Sequence, residues 1–130
     1  MQAINPDGVT IPGIAQAMLL DKNERLLLIS GQVALNAAGA LVGSDLETQL
    51  VQVFENMRVV LAAAQADFRH VARFTIYVCD YHPDKLPIIR SVRNRYIDPA
   101  HPPASSLIGV AALFQPGVLI EIDALAAVPA

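Results

Sequence analysis

From residue 44 to residue 65 the apolar positions of the chain, Leu46, Leu50, Val53, Met57, Val60 and Ala64, recur three and four apart. That spacing lines one face of a helix and predicts a helix from Asp45 to about Gln65. Ser44-Asp45-Leu46-Glu47 has the form of a capping box, with Ser44 as the cap and Glu47 as its reciprocal partner. A second stripe, Leu86, Ile89, Val92 and Tyr96, predicts another helix. Pro83-Asp84 opens it with Asp84 as cap, Pro87 is tolerated in its first turn, and Asp98-Pro99 ends it.

The remaining apolar runs are short and read as strands. Residues 15–20 and 25–30 flank the turn residues Asp21-Lys22-Asn23-Glu24 and predict a hairpin, with Gly31-Gln32 closing its second strand. Residues 36–39 predict another turn, before a short run at 40–42. Residues 73–78, rich in β-branched and aromatic side chains, predict a strand. Residues 106–110 and 118–124 predict the last two strands, joined through Phe114-Gln115-Pro116-Gly117. The order is β-β-α-β-α-β-β. It fits an α+β fold, with two helices packed on one face of a mixed or mostly antiparallel sheet, better than a doubly wound sheet.

Composition adds a constraint on assembly. The chain has 130 residues, the size of one domain spanning 1–130, with 54% apolar and 16% charged residues. Soluble domains average about a quarter charged residues, so the apolar surplus predicts surface buried against other subunits. A membrane span is excluded, because no stretch approaches about 20 uninterrupted apolar residues. The segment Met1-Gln2-Ala3-Ile4-Asn5-Pro6 has no signal-peptide character. The single cysteine, Cys79, allows no internal disulfide and fits a reducing, cytoplasmic setting. A net charge of −3 argues against a nucleic-acid partner bound through a broad basic surface.

Candidate chemistry is sparse. No glycine-rich phosphate loop follows a strand, and Gly-x-Ser-x-Gly is absent. His70, His82 and His101 are scattered, with none at metal-ligand spacing, and read as surface or loop positions and not as metal ligands. Cys79 lacks an activating neighbour and reads as a buried thiol at a strand end. Arg90 and Arg93 can share a helix face that Arg95 cannot join. A solvated face is the simpler reading of this cluster, and an anion site the sharper one. Glu121 is the more unusual acid: alternation puts it with Leu119 and Asp123, opposite Ile120 and Ile122, which face the core. Were it desolvated at a subunit contact its pKa would rise, suiting it to proton transfer near neutral pH.

Three segments together resemble the RidA/YjgF family. Leu28-Ile29-Ser30-Gly31-Gln32 is similar to that family's Ser-Gly-Gln strand end. Thr48-Gln49, Glu55-Asn56 and Val60-Leu61-Ala62-Ala63-Ala64 are similar to its first helix. Pro103-Ala104-Ser105-Ser106, Ala111-Ala112-Leu113 and Ile120-Glu121-Ile122 are similar to its C-terminal pattern. The order and spacing hold over nearly the whole chain. The resemblance implies a chorismate-mutase-like fold and a homotrimer with small-molecule clefts between subunits. It also implies cofactor-independent hydrolysis of enamines or imines to ammonia and a 2-keto acid.

Carried over residue by residue, the match is partial. Ser30 and Gly31 fall on the stretch that lines the family cleft, and Glu121 on the glutamate that holds or activates water. Ser105 stands where the family has a carboxylate-binding arginine, and Ile14 where it has a tyrosine. A serine cannot make the charge-assisted bidentate contact of an arginine, so a 2-imino acid is expected to be a poor substrate unless Arg90 supplies the grip from another direction. Two readings stay open: a divergent deaminase with altered substrate, catalysed by Glu121, and a non-catalytic trimer that binds or senses a metabolite. A ribonuclease is disfavoured by the negative charge, the 5% aromatic content and the absence of a paired histidine.

Overall fold

The computed structural model describes residues 1–8 and 11–130. β1 (Gln2–Ile4) and β2 (Ala17–Leu19) form a short antiparallel ribbon. Then come β3 (Glu24–Gln32), α1 (Leu46–Ala63), β4 (Val71–Cys79), α2 (Leu86–Arg93), β5 (Ala104–Val110) and β6 (Ile120–Pro129). The four long strands lie in the order β3-β6-β4-β5, antiparallel at the first two contacts and parallel at the last. This is the predicted α+β architecture, a mixed sheet with two helices.

The predicted hairpin between residues 15–20 and 25–30 does not form. β2 turns away to pair with β1, while β3, nine residues long, pairs with the ten-residue β6. A long partner satisfies far more of β3's backbone than a three-residue strand could. Asp21 and Glu24, expected only to turn the chain, also bind the Met1 ammonium, at 2.5 and 3.1 Å. The run at 40–42 contributes a single bridge, Leu35 to Leu41, and no strand.

Helix α1 is capped by Asp45 and not by Ser44: its Oδ2 accepts from the Thr48 amide at 3.0 Å. Glu47 is drawn off by Arg95, whose Nη2 lies 2.7 Å from its Oε1, so the reciprocal half of the predicted capping box is missing. The buried face carries Gln49, Leu50, Val53, Phe54, Met57 and Leu61. Val60 and Ala64, assigned to the stripe from spacing, are only half-buried. α2 is preceded by a 3₁₀ turn at Pro83–Lys85, so Asp84 lies inside that turn and caps nothing. The helix ends at Arg93, one turn short of the predicted stop. Tyr96 nevertheless packs inward, stacked on Phe54 with ring centroids 4.9 Å apart.

Both helices share one core with one face of the sheet. Phe74, Ile76, Val78, Ile120 and Ile122 from the strands meet Leu50, Phe54, Met57, Ile89 and Val92. At about 25 cal/mol per Å² of apolar area, this burial is the main driving force of the fold. Two polar side chains of α1 tie down the irregular segments around it. Gln49, fully buried, donates to the carbonyls of Gly43 and Gly117 at 3.1 and 2.8 Å, and its Oε1 accepts from the Leu119 amide at 2.9 Å. Asn56 donates to the carbonyls of Val33 and Leu35 at 2.9 and 2.8 Å. The exit of β3 and the entry to β6 are thereby fixed to the same helix.

Candidate functional site

Among the described residues no helix lies over the other face of the sheet. Alternation from the buried positions assigns to it Leu26, Leu28 and Ser30 of β3, Glu121, Asp123 and Leu125 of β6, Arg73, Thr75 and Tyr77 of β4, and Ser106 and Ile108 of β5. Leu28 is 76% exposed, Leu26 60% and Ile108 41%. The apolar surplus of the composition is partly accounted for by this uncovered face.

Glu121 sits near the start of β6, an inner strand of this face, opposite Tyr77 in register and half-buried. Its partner on the other side is Gly31. Pairing of β3 with β6 shifts between Ile29 and Gln32, a one-residue bulge that falls on Ser30 and Gly31. A Cβ at Gly31 would stand 2.6 Å from the Glu121 carboxyl carbon, so only glycine leaves room for the carboxylate where it lies. The bulge thus brings together three residues that the sequence singled out: Ser30, Gly31 and Glu121.

Sequence reasoning left Tyr77 out of this group. Its hydroxyl donates to Asp123 Oδ2 at 3.2 Å. The Asp123 charge, with burial and that hydrogen bond, holds the phenol above its ordinary pKa, so it stays protonated. The signal available was the period of β4: Tyr77 and Thr75 alternate with Ile76 and Val78, as Glu121 and Asp123 alternate with Ile120 and Ile122.

Ser105 is placed differently. It pairs with Phe74, a core residue, so it belongs to the helix-covered face and not to that of Glu121. Ile14, half-buried, precedes Ala15, whose amide donates to the Pro103 carbonyl at 2.9 Å and which bridges Ala104 at the outer edge of β5. Arg90 is exposed on α2. Within one chain the structure therefore gathers Ser30, Gly31 and Glu121 at one place, with Ser105 and Ile14 near the sheet edge on another.

The arginine cluster is divided: Arg90 and Arg95 are solvent-exposed, as the simpler reading gave, and Arg93 is not. Arg93 is only 8% exposed, while Arg95 is taken by Glu47. Cys79 ends β4 as expected but is half-buried, with its Sγ donating to the Val118 carbonyl at 3.3 Å. His70 caps a 3₁₀ turn by accepting from the Asp67 amide, and His101 lies beside Asp98. Among the described residues no group of three or more His, Cys, Asp or Glu could hold a metal ion, and no helix is long and apolar enough to cross a membrane.

A mixed sheet with both helices on one face and a carboxylate lodged against a glycine bulge on the other defines a class of α+β protein with a polar site on its open sheet face. Residues 15–128 match the family model described as Endoribonuclease L-PSP, and the chain belongs to this family, that of the RidA/YjgF proteins. It is 37% identical over 113 residues to Protein DfrA of Myxococcus xanthus, covering 86% of this chain and 82% of that one. It is 32% identical over 113 residues to the human 2-iminobutanoate/2-iminopropanoate deaminase, covering 86% and 77%. Among solved structures, YyfB of Yersinia pestis, a Rid-family protein of unknown function, superposes with a TM-score of 0.89 at 39% identity over 98% of both chains.

Proposed function

We propose that the chain is a homotrimeric, cofactor-independent hydrolase of small enamines or imines, with clefts between subunits. The observation that carries this reading is the Gly31–Glu121 contact, a carboxylate held against an exposed bulge on an uncovered, partly apolar face. Relatives named 2-iminobutanoate/2-iminopropanoate deaminase supply the reaction class. In the step proposed, Glu121 orients a water and accepts its proton as the oxygen bonds to the imine carbon; the nitrogen gains protons and leaves as ammonia, and the carbon becomes a carbonyl. Tyr77, held protonated, lies beside Glu121 to bind or steer the polar end of the substrate.

Ser105 and Glu121 lie on opposite faces of their own sheet, so a cleft using both takes them from two subunits. The apolar residues around Glu121 favour such an assembly, with the open face turned inward. Replacement of the family arginine by Ser105 remains part of this proposal and makes the preferred substrate a divergent one. The test is ammonia release over a panel of enamine and imine precursors. Turnover by the native chain that falls at least about a hundredfold in Glu121→Gln is the expected result; no turnover of any member removes the hydrolase reading.

One observation favours a second reading, a trimer that binds a metabolite without converting it. Among the described residues no basic side chain pairs with Glu121 or Asp123, and Ser105 adds no charge to hold an acidic substrate for attack. A ligand-stabilisation screen that finds saturable binding without ammonia release would favour it. Ribonuclease chemistry, despite the name of the family model, has less support: the net charge is −3 and the three histidines lie in separate turns, each beside its own aspartate.

A further inference from the structure

The entry to β4 and the connector after α2 bound a cavity that the site around Glu121 does not use. It holds about 600 Å³, a volume that suits a small molecule. Four separate segments wall it: Ala3 of β1, Met18 of β2, Phe68 and Val71 at the entry to β4, and Tyr96 to Pro102 after α2. None of Ile14, Ser30, Gly31, Arg90, Ser105 and Glu121 lines it. Val71 lies six residues before Tyr77, the partner of Glu121 in register, which sets the cavity about 20 Å from Glu121 along the strand.

Its lining is mostly apolar and is held in place from behind. Val71 is buried in the core, as is Ile97 next to Tyr96. Tyr96 is stacked on Phe54, with ring centroids 4.9 Å apart, and meets Phe68 edge-on at 5.6 Å. Both rings on the wall are thus set before any ligand arrives, so filling the space costs little ordering. The charges are more exposed than these walls. Asp67 is paired with Arg69, whose Nη2 lies 2.6 Å from its Oδ2 and whose side chain is 83% exposed. Asp98 accepts from the Ala100 amide at 2.9 Å and has His101 beside it, a cation only when protonated. Hydrogen bonding from Arg69 lowers Asp67 to about 2, and that from His101 lowers Asp98, so both are ionised at neutral pH. With the imidazole neutral, two carboxylates face one guanidinium. The Met1 ammonium, on another wall, is already outnumbered by Asp21 and Glu24.

We propose that this cavity is a second small-molecule site and that it takes a monocationic amine with an aromatic body, its ring against Phe68 and Tyr96 and its ammonium at Asp98. The apolar walls reward burial of a ring, and aromatic neighbours add contacts that an aliphatic body lacks. An ammonium is matched by the surplus carboxylate and is attracted by the faces of nearby rings. An acid of the same shape would meet two negative charges. The site shares no residue with the proposed hydrolase and stands or falls without it.

The probes are tryptamine, tryptophol and indole-3-propionate, which share an indole ring and differ in carrying a positive, no or a negative charge. Methyl resonances of Ala3, Met18 and Val71 in the native chain are followed by NMR as each is added. Tryptamine is expected to shift all three saturably, with an affinity at least about tenfold above that of tryptophol, and indole-3-propionate is expected to leave them in place. Asp98→Asn keeps an oxygen to accept from the Ala100 amide. It is expected to weaken tryptamine at least about fivefold and to leave tryptophol unchanged. Arg69→Gln releases Asp67 from its ion pair and is expected to tighten tryptamine at least about twofold. Methyl signals unmoved by tryptamine, or equal affinity for the three indoles, overturn the proposal, and so does an Asp98→Asn variant that binds tryptamine as the native chain does. The first two readouts use the native chain, so a variant that fails to fold does not shelter the idea. Imine turnover by a chain that ignores tryptamine removes this site and keeps the hydrolase; tryptamine bound without turnover of any imine does the reverse.

Discussion

Gly31 and Gln49 show how single residues set the geometry around Glu121. At Gly31 an added methyl would meet the far end of the Glu121 side chain, 2.6 Å away, and displace the carboxylate while leaving the backbone in place. Gly31→Ala is therefore expected to keep its stability within about 0.5 kcal/mol of native, by urea unfolding, while turnover or ligand affinity falls by about tenfold or more. Gln49 works at a distance from the carboxylate. Its three hydrogen bonds fix the Gly43 and Gly117 carbonyls and the Leu119 amide, two residues before Glu121. Gln49→Leu keeps the volume but strands those groups, and should cost about 3 kcal/mol in the same measurement.

At the scale of elements, the end of α1 carries a local strain. Gln65 adopts φ 57°, the left-handed region, so that its amide and that of Ala66 can close the helix on Ala62 and Leu61. Glycine takes that conformation without the Cβ penalty, so Gln65→Gly is expected to stabilise the chain by about 0.5–1 kcal/mol, read as a higher melting temperature. The following turn carries an acid-labile pair. Hydrogen bonding from Arg69 lowers Asp67 from 3.8 to about 2. A depressed folded-state pKa adds stability that is present above the unfolded value and is lost as pH falls through the folded one. The melting temperature should thus decline as pH is lowered from about 4 toward about 2, and Asp67→Asn should flatten that limb. The pair is solvent-exposed, so the amplitude is small.

For the whole molecule the decisive surface is the open sheet face. If it is the inner surface of a trimer, a charge at Leu28 meets apolar neighbours from other subunits and pays desolvation without a partner. Leu28→Asp is accordingly expected to shift the mass measured by light scattering from trimer to monomer, with the far-ultraviolet circular dichroism preserved. An unchanged mass would move the interface to another surface. Loss of the trimer should also abolish any turnover, since Ser105 and Glu121 cannot meet within one chain.

The local pattern was sufficient for the two helices, the four long strands and the inward direction of Ile120 and Ile122, because periodicity depends only on which positions must be buried. It also singled out Ser30, Gly31 and Glu121, through their resemblance to a known family. Contacts between distant segments were beyond it. Strand pairing was decided by the long β6, which took β3 from the predicted hairpin. The cap of α1 fell to Asp45, with Glu47 drawn off by Arg95, just past the end of α2. The face of Ser105 followed from its parallel register with Phe74. The burial of Arg93 against Gly13 is of the same kind: one helix stripe cannot tell which residue at its margin another segment will cover, and only the tertiary structure makes that choice.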